Sequence, residues 1–121
     1  MKIMMILASV SVVLLAMSMI QPIFAENQVS IPQANRDCEK TDSCFVPSVV
    51  PIKQGQTVVW QNDDLTIHSL VGGSKDTGAS RSFQSGIMMP GDSFSYTITN
   101  SGIFPYYCEI HPWMKGVVWS R

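Results

Sequence analysis

Polar and apolar positions along this chain fall into three regimes. Residues 3–20 are apolar or small almost without interruption. Residues 26–42 are polar, with Pro32 and few apolar side chains, and read as a loose N-terminal arm. From Phe45 onward, short apolar runs and two-residue alternation are broken by turn residues at strand-length intervals. Residues 46–52 are rich in β-branched side chains but carry Pro47 and Pro51, which suits the edge of a sheet. A turn at Lys53-Gln54-Gly55-Gln56 leads into a strand over 57–61, and a further strand over 67–71 ends at Gly72-Gly73. Residues 73–80 are polar and read as a surface loop, and 81–84 as a short strand at most. Turns at Ser85-Gly86 and Pro90-Gly91 precede a strand over 93–98, in which Phe94, Tyr96 and Ile98 share one face. Asn100-Ser101-Gly102 turns the chain into 103–108, and 115–120 closes the domain. No helical apolar period occurs in the body of the chain. The pattern therefore predicts an all-β fold, a Greek-key antiparallel β-sandwich.

The first regime changes where that sandwich is placed. Lys2, the apolar run and then Pro22-Ile23-Phe24-Ala25-Glu26 read as a secretory signal over 1–25, cut after Ala25. Eighteen apolar or small residues also nearly span a bilayer, so an uncleaved membrane anchor through residues 3–20 is the alternative. Either reading puts the domain outside the cytoplasm, in a periplasm or at a cell surface. Eight basic and nine acidic residues give a net charge of -1, with no basic patch to hold a phosphate backbone, so nucleic-acid binding is disfavoured. Of eight Met, Met1, Met4, Met5, Met17 and Met19 belong to the leader; only Met88, Met89 and Met114 lie in the body.

Three Cys is an odd number, which in an exported protein leaves one thiol for a separate task. Cys38 and Cys44 are close in sequence and lack a nearby His or third Cys, so in an oxidising compartment a disulfide pinning the arm outweighs a metal site. So short a loop gains at most about 3 kcal/mol from the link. The remaining thiol is Cys108, in Tyr107-Cys108-Glu109-Ile110-His111-Pro112-Trp113-Met114-Lys115-Gly116. Cys-x2-His-x2-Met offers a thiolate, an imidazole and a thioether, soft or borderline ligands that suit copper rather than the oxygen-seeking magnesium, calcium or manganese. A blue-copper site needs one Cys and two His around the ion, with a weak axial Met. The chain holds one other His, His68, and the count closes on His68, Cys108, His111 and Met114. Pro112 biases His111 away from the helical region and stiffens the loop. Ser69 is placed for its backbone N–H to reach the Cys108 sulfur, and Asn62 and Asp64 to fix the loop before His68. Met88 and Met89 read as packing. Pro112 and Trp113 flank His111, either as an apolar patch or with Trp113 turned inward.

These residues carry a family resemblance. Cys108-x2-His111-x2-Met114, followed by Lys115-Gly116-Val117-Val118 and preceded by Asn62-Asp63-Asp64 and His68, resembles the small blue (type 1) copper proteins, the cupredoxins of the plastocyanin and amicyanin kind. The short spacing between the loop His and Met is closer to amicyanin. The resemblance covers residues 45–119 and implies a β-sandwich holding one type 1 copper ion and shuttling single electrons. It also implies that His111 is the ligand at the solvent edge. The division of the chain is then a leader over 1–25, an arm with a Cys38–Cys44 disulfide over 26–44, and a copper domain over 45–121.

Among function classes, an electron carrier between redox proteins, membrane-associated ones included, leads. It turns over no small-molecule substrate and is not an enzyme. A copper chaperone or store is the alternative, but it calls for several labile Met or His, which the body lacks. A copper oxidase or nitrite reductase needs further His for additional coppers. A closed structural zinc site is poorly served by a Cys-His-His-Met set.

Overall fold

Eight strands and one short helix account for the ordered elements of the computed structural model, which describes residues 27–33 and 36–121. The strands are β1 (Gln28–Ile31), β2 (Val49–Ile52), β3 (Thr57–Asn62), β4 (His68–Ser74), β5 (Gly78–Met88), β6 (Ser93–Thr97), β7 (Gly102–Cys108) and β8 (Lys115–Ser120). A single turn of helix, α1 (Cys38–Thr41), sits inside the disulfide loop closed by Cys38 and Cys44. The leader expected over 1–25, as signal or as anchor through 3–20, lies outside the described residues. Among the described residues no helix is long and apolar enough to cross a membrane.

The strands form two layers, a three-stranded sheet in the order β1-β3-β6 and a five-stranded sheet in the order β2-β8-β7-β4-β5. Alternation explains why these segments are strands and which face each one buries. In β3, Val58, Trp60 and Asn62 are buried while Thr57 is exposed and Val59 and Gln61 half-buried. In β7, Tyr106 and Cys108 point into the core, with Phe104 packed against it from the same face. Trp60 is the hub of the core. Its ring lies 5.4 Å from Phe83, 5.7 Å from Phe94 and 5.3 Å from Tyr106, joining the two sheets. Each fully buried side chain of this size contributes roughly 1.5–3 kcal/mol of transfer free energy, so the cluster is the main source of cohesion. Gly116 in β8 is where Tyr106 needs room: a Cβ there would stand 2.4 Å from the phenol oxygen.

Three features depart from the antiparallel reading and its loops. β1 pairs parallel with β3, and β2 parallel with β8, so each sheet is mixed. The arm is less loose than its polarity suggests, because Val29 and Ile31 of β1 are fully buried and Ser30 exchanges both backbone hydrogen bonds with Val46, at 2.8 and 2.9 Å. Residues 78–88 form one long edge strand through the stretch expected to be loop, short strand and turn. In that strand only Phe83 and Met88 are buried, and its pairing with β4 shifts register twice. A solvated, bulged edge strand carries almost no apolar signal. Residues 46–52 divide, Val46 bridging to β1 while β2 lies at the edge of the other sheet, as its prolines suggest.

Candidate metal centre

One end of the sandwich brings together residues that are far apart in sequence. Leu70 of β4 lies opposite Cys108 of β7, so His68, two residues earlier on the same face of β4, reaches the thiol from the neighbouring strand. After Cys108 the chain makes a tight excursion and returns as β8. Cys108 N–H donates to the Met114 carbonyl at 3.0 Å, Met114 N–H to the His111 carbonyl at 2.8 Å, and Glu109 N–H to the Ser69 carbonyl at 2.8 Å. Both ends of the 108–114 loop are thus tied to the sheet, and Pro112 stiffens its middle.

The ligand atoms converge. His68 Nδ1 stands 3.6 Å and His111 Nδ1 3.7 Å from Cys108 Sγ, and one nitrogen from each ring and the sulfur all lie within 4.8 Å of one another. Bonds of roughly 2.0 Å to nitrogen and 2.3 Å to sulfur, meeting at 120°, would separate nitrogen from sulfur by ~3.7 Å. The observed separations fit three ligands of one ion. Cys108 is fully buried and His68 nearly so, while His111 is half-buried. Met114 is buried too, and with Asp64, Thr66, His111 and Trp113 it lines a cavity of about 80 Å³. A thiolate, two imidazoles and a thioether are a donor set for copper.

The surroundings favour a charged sulfur. Burial pushes the Cys108 thiol up, but His68 and the backbone N–H groups of Ser69, His111 and Ile110 act on the sulfur and bring it below its ordinary value. Ser69 therefore does what its position suggests. Burial alone would lower His68, yet Cys108 and Asp64 raise it above an ordinary histidine. His111 is lowered by burial and by His68, which keeps its ring neutral and ready to ligate.

Three further groups shape the site. Asp64, 9% exposed, accepts from His68 Nε2 at 2.8 Å. Asn62 holds the segment between: it donates to the Thr66 and Met88 carbonyls at 3.0 and 3.1 Å and accepts from Asp64 N–H at 3.0 Å. The direct bond from Asp64 to His68 is visible in sequence only as an Asp-x3-His spacing. Trp113 packs partly against the core and lies 5.2 Å from the His111 ring, edge-on, while Pro112 is exposed. Arg36 of the arm stacks its guanidinium 5.1 Å from Trp113, a contact with no signal in the sequence. Leu65, Ile67, Met89 and Ile110 are exposed large apolar side chains, each next in sequence to a residue in or beside the site. As expected, Met88 packs in the core.

The sequence profile of the copper-binding proteins of the plastocyanin/azurin family matches residues 32–120. The chain belongs to this family. Membership makes this a copper-binding protein, and His68, Cys108, His111 and Met114 are arranged as a type 1 copper site. The chain is similar to amicyanin from Paracoccus versutus, 32% identical over 74 residues, which cover 61% of this chain and 55% of the amicyanin. It spans just over half the length of that relative. Plastocyanin from Scenedesmus fuscus is 35% identical over 81 residues, 61% of this chain and 83% of the plastocyanin. Among solved structures, a purple cupredoxin from Nitrosopumilus maritimus superposes with a TM-score of 0.68 at 30% identity, covering 78% of this chain and 98% of that one. The fold is thus a cupredoxin fold.

Proposed function

We propose that the protein carries single electrons between extracytoplasmic redox partners, membrane-associated ones included, with His68, Cys108, His111 and Met114 as the ligands of one copper ion. The observation that carries the reading is the convergence of one thiol and two imidazole nitrogens within 4.8 Å at one end of the sandwich. Copper, when bound, supplies the Cu(I)/Cu(II) couple. The chain's own part is to keep the ligands still. Cys108 and His68 are fixed by neighbouring strands of one sheet, and His111 by a loop hydrogen-bonded at both ends. A site held between the preferences of the two oxidation states reorganises little on gaining or losing an electron, which is what fast transfer needs.

His111, the most exposed of the three, is the exit and entry point, and Pro112, Trp113, Ile110 and Leu65 supply apolar surface beside it. Such a surface with few charges suits brief contacts with other proteins rather than long-lived complexes. The exported unit begins at residue 26, with an arm to residue 44 and the copper domain from 45 to 121. Both of the chain's His are in this site, so none is left to ligate a second copper, which supports a carrier rather than an enzyme. Repeated voltammetric cycles of the copper-loaded protein test the reading. A reversible one-electron wave of constant size, with copper retained beside a competing chelator, is expected. Transfer of copper to the chelator on each reduction would instead indicate a chaperone or store.

A further inference from the structure

Of the ring nitrogens at the site, His68 Nε2 alone has a carboxylate against it. Asp64 Oδ2 is 2.8 Å away, and both partners are buried. That carboxylate is itself held. Its other oxygen accepts from Leu65 N–H at 2.7 Å, and Asn62 accepts from Asp64 N–H at 3.0 Å while donating to two carbonyls. So much fixed structure behind one side chain means that the ring and the carboxylate keep one relative geometry. No carboxylate bond is found at the His111 ring among the described residues.

A proton on Nε2, donated to Asp64, leaves the lone pair on Nδ1, which is the nitrogen 3.6 Å from the Cys108 sulfur. A carboxylate on the far side of a ligating imidazole also raises its basicity. A fixed negative charge there stabilises the more highly charged oxidation state more than the less charged one. We propose that Asp64 is a positioning residue of the copper centre, which locks His68 with Nδ1 towards the sulfur and weights the couple towards copper(II). This rests on the ligand assignment above and adds to it the residue that sets the balance of the couple.

The test uses the full exported chain as Asp64→Asn, Asp64→Ala and Asp63→Asn. Asp63 is the exposed neighbour, whose carboxylate accepts from Ser30 Oγ and is not bonded to a ligand; Asp63→Asn keeps an acceptor there and so reports the effect of charge. In Asp64→Asn the blue band should persist while copper(II) affinity falls about 10–100-fold and copper(I) affinity stays within a few-fold. Each tenfold difference raises the midpoint potential by ~59 mV. Asp63→Asn should leave the potential near wild type. An unshifted potential in Asp64→Asn, or an equal shift in Asp63→Asn, overturns the proposal. A readout independent of copper is the NMR signal of the His68 Nε2 proton in metal-free protein. It should exchange slowly in wild type and be lost to fast exchange in Asp64→Ala; the same exchange in both contradicts the bond. Failure of the carrier reading shows differently, as wild-type protein with no blue band, and the proton signal still decides the role of Asp64.

Discussion

The two halves of the site are built in opposite ways. His68 lies on a strand, is 1% exposed, and has its free ring nitrogen bonded to a buried carboxylate backed by Asn62. His111 lies on a loop, is half-buried, and among the aromatic rings of the described residues touches only Trp113 and His68. One half anchors and the other opens. The contrast follows from topology. A central strand such as β4 brings ladder bonds on both sides, whereas a loop between neighbouring strands has to find its own.

The strongest way to break this contrast is to empty each half in turn. His111→Gly and His68→Gly should both lose the blue band, but added imidazole should restore it in His111→Gly alone, because only that vacancy opens to solvent. Equal rescue would contradict the anchor and port roles. The next effect is mechanical. Gly116→Ala forces a methyl into the fully buried Tyr106 phenol at the foot of the loop, and unfolding in urea should show a loss of up to ~3 kcal/mol. On the anchor side, Asn62→Ala leaves the Thr66 and Met88 carbonyls and the Asp64 N–H without their partner. A loss on the order of 1–3 kcal/mol is expected, with faster copper release. The smallest effect belongs to the port. Arg36→Ala removes a stacking contact worth about 0.5–1 kcal/mol, and Trp113 emission should shift while the midpoint potential stays put.

The same contrast explains what could be read from the sequence. The loop half is legible because its ligands lie close together in sequence: Cys108, His111 and Met114 are spaced for one ion and flanked by alternating strands. His68 follows only by elimination, as the second of two His. The polar backing of His68 was legible only as proximity, since whether Asp64 reaches the ring depends on the path of residues 63–67. Strands whose apolar positions alternate, such as β3 and β7, declared themselves. β1 did not, because its two buried residues gain their meaning from a parallel partner some thirty positions away. Nor did β5, an edge strand that faces solvent along most of its length. Parallel pairing and the contact of Arg36 with Trp113 leave no local trace, as both join segments that the sequence keeps apart.

The central claim is that Cys108 and its neighbours hold copper as a type 1 centre that cycles without losing the metal. The most direct measurement is a visible absorption spectrum of the protein from residue 26, loaded with copper(II), reduced and reoxidised. An intense thiolate-to-copper band that bleaches on reduction, returns on oxidation and is missing in Cys108→Ala is the predicted result. Copper bound with no such band, or released on reduction, would contradict the account.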